Sequence, residues 1–253
     1  MDTGRAIDNF INQHADMVLD PYELDERGVT RRVYDQTGAR TEVISPIPIA
    51  PTAILRNVDT DTEKIELSFL KHGRWHKVIC ERSVAASNNG ILKLADKGIE
   101  VNSDNAKKLV KYIAKTTAYN LDTLPNKAAK SVMGWHDGSF MPYTDDIVFD
   151  GDEQFKHLYK ALCSRGNLQE WINFIAPLRD KIEVRLCMAA AFASPLIELI
   201  GENPFVFHLW GQTGTGKTVA LLLAMSIFGN PTMGGLTRTM NMTANSMLST
   251  AAF

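Results

Sequence analysis

The segment from Phe205 to Thr218 constrains the fold more than any other part of the sequence. Phe205–Trp210 is an almost continuous apolar run of strand length, and G-Q-T-G-T-G-K-T follows it directly. These eight residues match the pattern G-x-x-x-x-G-K-[ST] in full, and a helix-like apolar run comes next. A strand, a glycine-rich turn and a helix in this order are typical of a loop that binds phosphate groups. The pattern also predicts that the strand is buried on both faces.

Each residue type in this loop has a physical role in binding an anion. Glycine permits positive φ and leaves backbone N–H groups free to surround phosphate oxygens. The N-terminus of the following helix favours the same negative charge. We expect Lys217 to reach the β- and γ-phosphates as the catalytic residue, and Thr218 to bind Mg²⁺. The predicted nucleotide-binding residues are Gly211, Gln212, Thr213, Gly214, Thr215, Gly216, Lys217 and Thr218. ATP and Mg²⁺ are the expected ligands, although the loop alone does not separate ATP from GTP.

Hydrolysis needs more than this loop. A P-loop NTPase normally has a later strand that ends in Asp or Glu, the Walker B residue, which holds Mg²⁺ and polarises water. After Lys217 the sequence contains neither Asp nor Glu, and Arg238 is its only charged residue. Glu198 and Glu202 lie upstream and are weak substitutes. We therefore expect an incomplete P-loop domain, and the sequence leaves ATP hydrolysis by this chain open.

Composition restricts the class of protein. The chain has 253 residues, of which 45% are hydrophobic and 22% are charged, so it has enough apolar surface for a core. Its net charge of −2 excludes a general attraction to nucleic acid, and any such binding needs a local patch. The three cysteines are scattered, and no secretory signal is recognisable. Because the most apolar stretch, Leu186–Ile197, is shorter than the roughly 20 residues that a membrane helix needs, we expect a cytoplasmic protein.

The chain divides into three predicted regions of an α/β protein. Residues 1–45 are polar and are expected to form a weakly ordered lead-in. Residues 46–150 show short strand and turn signals and predict a β-rich α+β domain. Residues 151–253 predict a helical segment, followed by the start of an AAA+-like P-loop NTPase domain that is truncated after the loop. We place the domain boundary near residue 150.

Local patterns within the second region predict its main elements. Ala53–Val58 and Lys64–Leu70 flank D-T-D-T-E and predict a hairpin, and Trp75–Cys80 predicts a third strand. A helix is expected from Asn102 or Ser103 to about Asn120. In the third region, the alanines between 189 and 193 predict a helix that packs closely against another element.

Several weaker patterns permit a functional and a structural interpretation. Lys107, Lys111 and Lys115 recur every four residues on the predicted helix and could contact DNA phosphates, although a solvated helix face explains them as well. His72, His76 and Cys80 have a spacing that suggests a metal site, but Gly73 disfavours the helix that would gather them. The acidic residues around F-D-G-D-E are better explained by caps and turns than by a metal. Aromatic residues such as Trp75 and Trp135 could stack on bases, but strand aromatics are more often core.

Four motifs resemble a known family. They are G-W-H at 134–136, A-A-A-F-A-S-P-L at 189–196, F-H-L-W-G at 207–211 with the P-loop, and F-G-N-P at 228–231. Together they resemble bacterial and prophage proteins grouped as domain-of-unknown-function family 927. Related proteins on mobile elements resemble AAA+ replicative helicases of the minichromosome-maintenance type.

This resemblance implies a function in DNA replication. It implies ATP-driven DNA unwinding or translocation by a homo-oligomeric ring, in a phage or mobile-element context. It applies to Gly211, Gly214, Gly216, Lys217 and Thr218 only, because the family's acidic residues, sensors and arginine finger have no counterpart here. The alternative is a non-hydrolysing module that binds DNA or a protein and keeps a remnant P-loop.

Overall fold

The computed structural model describes residues 3–36 and 38–238, and the chain separates into two compact units at Ala129–Lys130. The fold is mixed α/β, as expected. The boundary lies about twenty residues before the predicted position near 150. Between residues 130 and 150, the side chains of Trp135 and Tyr143 donate hydrogen bonds to the Pro195 and Phe228 carbonyls of the second unit. Composition gives no sign of these distant contacts.

The first unit contains both strands and helices. Its elements are α1 (Thr3–Gln13), β1 (Tyr22–Asp25), β2 (Gly28–Asp35), β3 (Gly38–Ser45), β4 (Ile49–Asn57), β5 (Glu63–Lys71), β6 (Arg74–Glu81), α2 (Arg82–Ala86), α3 (Asn88–Ile91), a 3₁₀ helix (Leu92–Lys97), α4 (Ala106–Tyr119) and β7 (Asn126–Lys130).

Two sheets organise the first unit. Strands β1, β2 and β3 form an antiparallel meander. In the second sheet, the strands of the first unit have the order β7-β4-β5-β6, in which β7 runs parallel to β4 and the other pairs are antiparallel. The predicted hairpin and third strand are confirmed as β4, β5 and β6, and the predicted helix is α4.

The core of the first unit combines residues from both sheets and from the helices. Leu109, Tyr112 and Ile113 of α4 are buried in it together with strand residues such as Ile49 and Leu67. The Tyr112 hydroxyl donates to the carbonyl oxygen of Ile49 at 2.7 Å, so the one polar atom of this buried ring has a partner.

Residues 1–45 differ from the prediction of a weakly ordered lead-in. They form α1 and the meander, and Ile7, Phe10 and Val29 belong to the same core as α4. The Phe10 ring stacks on Trp75 with centroids 4.0 Å apart, and the Trp75 indole donates to the Ala6 carbonyl. The apolar residues of this region are sparse in sequence, and only such contacts with distant residues give them a place in the core.

The second unit is mainly helical. Its elements are β8 (Gly134–His136), β9 (Ser139–Met141), β10 (Ile147–Phe149), α5 (Lys156–Ala161), α6 (Leu168–Ile175), α7 (Ile182–Ala193), α8 (Ile197–Ile200) and α9 (Lys217–Met225), with short 3₁₀ helices at Glu153–Phe155, Ala176–Asp180 and Ser194–Leu196. β8 and β9 form a hairpin.

Small residues bring α7 and α9 together, as the alanine pattern predicted. Cys187 and Ala191 of α7 pack against Ala220 and Ala224 of α9, and all four are buried. Short side chains allow two helix backbones to approach closely, so this contact fixes the helix that follows the glycine-rich loop. No helix in the described residues has the length and apolar character needed to cross a membrane.

Candidate nucleotide-binding site

The segment before the glycine-rich loop differs from the prediction of a buried strand. Residues 202–211 have no regular secondary structure, and Val206 and Trp210 are 93% and 85% exposed. An interior strand is buried only when other strands pair with it on both sides. Within the described ranges, no strand pairs with this segment.

The loop itself begins helix α9 as the motif predicted. Gly214 and Gly216 have φ of +85° and +84°, a left-handed conformation that favours glycine. Gly216 is the N-cap of α9, and its carbonyl accepts the backbone N–H of Ala220 at 2.9 Å. Lys217 and Thr218 therefore occupy the first turn of the helix, where backbone N–H groups point towards the loop.

The Lys217 ammonium group folds back over the loop. Its Nζ donates to the carbonyl oxygens of Gly211 and Gln212 at 2.8 and 2.6 Å, and lies 3.4 Å from the Thr215 hydroxyl. That hydroxyl donates to the Gln212 carbonyl at 2.9 Å. The structure thus brings the predicted site residues together at one end of α9, with the cation at the centre of the loop.

The donor groups of this loop suit a phosphate ligand. An ideal Cβ on Gly214 or Gly216 would have no atom within 4 Å, so these glycines serve backbone conformation rather than close packing. The loop is exposed, and its ammonium, hydroxyl and N–H groups are all hydrogen-bond donors of the kind that bind phosphate oxygens. Thr218 is exposed at the same end of the helix, where its hydroxyl can reach a cation bound to phosphate.

The two upstream carboxylates do not supply a clear acidic partner. The Glu198 carboxylate accepts the backbone N–H of Trp135 at 3.3 Å, and Glu202 is exposed in the irregular segment. No group of three or more metal-ligating side chains occurs in the part of the chain that the structure describes. A Walker B carboxylate is therefore missing from the described site.

The spacing of His72, His76 and Cys80 has a structural explanation. The His76 ring stacks on Phe69, and Cys80 is buried in the core of the first unit. Burial raises the pKa of the Cys80 thiol to about 11, which disfavours the thiolate that a metal would need.

The sequence patterns did not identify the role of the aromatic residues in and after the β8-β9 hairpin. Trp135, at the start of β8, donates its indole N–H to the Pro195 carbonyl at 2.6 Å. The Tyr143 hydroxyl donates to the Phe228 carbonyl, just after α9. These hydrogen bonds tie the two aromatic side chains to backbone within the second unit.

A solved structure shares the mixed α/β fold of this chain. A solved structure described as an active helicase, SCCmec type IV Cch, superposes with a TM-score of 0.62 and 19% sequence identity. The match covers 92% of this chain but 46% of the other chain, so this chain spans about half of that protein.

The sequence identifies the family. Residues 22–253 match the family described as a domain of unknown function (DUF927), and the chain belongs to it. No curated protein sequence matches the chain.

Proposed function

We propose that this chain binds ATP with Mg²⁺ through residues 211–218, as part of an AAA+ helicase-like protein that acts on DNA. The supporting observation is the position of Lys217 in the first turn of α9, with its ammonium group over the loop carbonyls. An incoming phosphate offers the ammonium group stronger acceptors than these neutral carbonyls, because charge-assisted hydrogen bonds are shorter and stronger.

Each group of the loop has a separate role in binding. The backbone N–H groups at the start of α9 bind phosphate oxygens, Lys217 neutralises the terminal phosphates, and Thr218 holds the cation. When bound, Mg²⁺ neutralises charge on the phosphate oxygens. The fold of the relative and the resemblance of the motifs support a homo-oligomeric DNA helicase in a phage or mobile-element context.

A non-hydrolysing module is the second candidate, and one observation favours it for this chain. The sequence after Lys217 contains no Asp or Glu, and Glu198 is bound to the Trp135 backbone. Because no carboxylate among the described residues lies beside the loop to polarise water, this candidate predicts ATP binding without measurable turnover.

A titration with a fluorescent ATP analogue and Mg²⁺ tests the proposal. We expect saturable binding that Lys217→Ala abolishes, while Lys160→Ala, which removes an exposed lysine from the same unit, leaves it unchanged. Competition with unlabelled ATP and GTP identifies the preferred base. Equal binding by wild type and Lys217→Ala would overturn the assignment of the loop. Phosphate release by the wild-type chain, lost in Lys217→Ala, would exclude the non-hydrolysing candidate.

A further inference from the structure

A basic cleft in the first unit lies between the β1-β2-β3 meander and the first half of α4. Its volume is about 140 Å³. Arg31 and Glu42 come from the meander, Lys107, Lys108 and Lys111 come from α4, and the Tyr22 ring is part of the lining. Four cations and one carboxylate give this cleft a local charge of +3, in a chain whose net charge is −2.

The carboxylate neutralises only part of this charge. Glu42 lies 2.7 Å from the Arg31 guanidinium and 3.1 Å from the Lys108 ammonium group. The hydrogen bond from Lys108 and then that from Arg31 hold the pKa of Glu42 low against the effect of burial, so it is ionised at neutral pH. Lys107 and Lys111 are exposed, and neither forms an ion pair with the described carboxylates.

The stability of the helix does not explain these lysines. Lys107 and Lys108 lie in the first turn of α4, which contains no acidic residue. Cations at a helix N-terminus are unfavourable because the helix dipole is positive there. The Arg31 Nε is also buried with no hydrogen-bond partner among the described residues. An anion in the cleft would offset the unfavourable positive charge at this end of the helix.

The arrangement suits a polymer better than a small anion. Lys107, Lys111 and Lys115 follow one another at intervals of four residues, and each interval is about 6 Å along the helix. Lys115 continues the row with its ammonium group 5.2 Å from the Tyr119 ring centroid. The row therefore extends about one turn beyond the cleft, so it is longer than a single phosphate group needs.

We infer that this cleft and the adjoining lysine row bind the phosphodiester backbone of DNA. The choice of nucleic acid among polymeric anions rests on the proposed function, whereas the position of the surface rests on the charges described above. Lysine contacts with phosphates carry no sequence information, so the surface holds DNA without selecting a sequence.

Fluorescence anisotropy with a labelled single-stranded oligonucleotide, measured over a range of NaCl concentrations, tests the inference. The full chain is compared with the double variant Lys107→Glu/Lys111→Glu. The control is Lys93→Glu/Lys160→Glu, which changes two exposed lysines outside the cleft and gives the same net charge. We expect at least a tenfold loss of affinity at low salt for the cleft variant. The slope of log K against log salt should fall by about 1.4, since each lost phosphate contact contributes about 0.7.

The outcomes separate this inference from the proposed function. The cleft variant should keep or raise its thermal midpoint, because acidic residues favour a helix N-terminus, so misfolding would not explain weaker binding. An unchanged salt slope, or an equal loss in the control, would overturn the cleft assignment alone. Equal affinity for polyglutamate would overturn DNA as its ligand. If wild type binds no DNA, the inference and the DNA part of the proposed function both fail. The proposal of ATP binding is tested separately by the titration and is not affected.

Discussion

The indole nitrogen of Trp135 donates a hydrogen bond to the carbonyl oxygen of Pro195 at 2.6 Å. Beside it, the backbone N–H of Trp135 donates to the Glu198 carboxylate at 3.3 Å. Two of the motifs that resemble the family, G-W-H and A-A-A-F-A-S-P-L, therefore meet in the structure. These hydrogen bonds connect the β8-β9 hairpin to the chain just after α7.

Replacement of Trp135 tests this hydrogen-bonded connection. Trp135→Phe keeps an aromatic ring but removes the N–H donor, so the Pro195 carbonyl loses its partner. We expect a loss of about 1–2 kcal/mol in the free energy of unfolding, measured by urea denaturation with far-UV circular dichroism. Trp210→Phe is the matched control, because Trp210 is 85% exposed, and it should change stability by less than about 0.5 kcal/mol. Equal effects of the two substitutions would contradict the role of this hydrogen bond.

The contact between α7 and α9 predicts a link between packing and ligand binding. Ala220 is 6% exposed against Cys187 and Ala191, so Ala220→Leu overfills the contact and should destabilise the fold by about 1–3 kcal/mol. Because α9 begins at Lys217, the same variant should bind the ATP analogue more weakly. Val219→Leu, on the exposed side of the helix, should leave both properties close to wild type. Unaltered stability of Ala220→Leu would show that the helices do not pack as described.

Gly229 lies at a close backbone approach. An ideal Cβ there would be 2.1 Å from the Ala161 carbonyl oxygen and 2.7 Å from the Cys163 nitrogen, and both are backbone atoms. Gly138 also has positive φ but has open space around it, so Gly138→Ala should cost only the conformational penalty of about 1–2 kcal/mol. We expect Gly229→Ala to reduce the free energy of unfolding by clearly more. Similar losses for both variants, in the same urea experiment, would refute the steric explanation.

Glu66 predicts a dependence of stability on pH. Its carboxylate is 5% exposed, and it accepts from the Thr52 hydroxyl at 2.8 Å and from the Lys77 ammonium group at 3.1 Å. Burial raises the pKa of Glu66, but the hydrogen bonds from Thr52 and Lys77 and the charge of Lys127 outweigh it and lower the pKa.

A lowered pKa in the folded state stabilises the protein above the unfolded value of about 4.3, and this contribution is lost as pH falls through the folded pKa. Urea denaturation at a series of pH values should therefore show wild type losing more stability below about pH 4.3 than Glu66→Gln. At neutral pH, Glu66→Gln should cost about 1–3 kcal/mol. Parallel pH profiles for the two proteins would exclude this carboxylate as a source of the dependence.

The exposure of the three thiols gives a further test. Burial raises the pKa of Cys80 to about 11 and also raises that of Cys187, so both should resist a thiol reagent near pH 8. Cys163 is only half-buried and should react first in the native protein. Counting labelled sites by mass spectrometry before and after unfolding checks this order. Rapid labelling of Cys80 in the native protein would contradict its burial in the core of the first unit.

Local sequence signals predicted the elements that depend on short-range interactions. The D-T-D-T-E turn lies between β4 and β5, and the spacing of apolar residues placed α4 within a few residues of its ends. The glycine-rich motif predicted the start of α9 at Lys217, because its left-handed glycines determine the local backbone. These features could be predicted since their main determinants lie within a few residues of one another.

Features that depend on distant contacts could not be predicted in this way. Val18 in the connection after α1 donates its backbone N–H to the Asn120 side chain at 2.7 Å, across 102 positions of sequence. A local sequence pattern carries no information about so distant a partner. Residues 1–45 were therefore predicted to be weakly ordered, although they form α1 and the meander. The prediction of a buried strand at 205–210 was wrong for a related reason. The apolar character of this segment implied neighbouring strands, and the described residues provide none.

That segment also determines how the chain should behave in a concentrated solution. Val206, Trp210 and their neighbours expose apolar side chains on a backbone without regular secondary structure, which pairs with no described strand. An unpaired apolar segment of this kind can form hydrogen bonds with the same segment of another molecule. We expect the light scattering of the chain to increase steeply with protein concentration, and Val206→Lys to reduce this increase because a charged side chain disfavours such pairing.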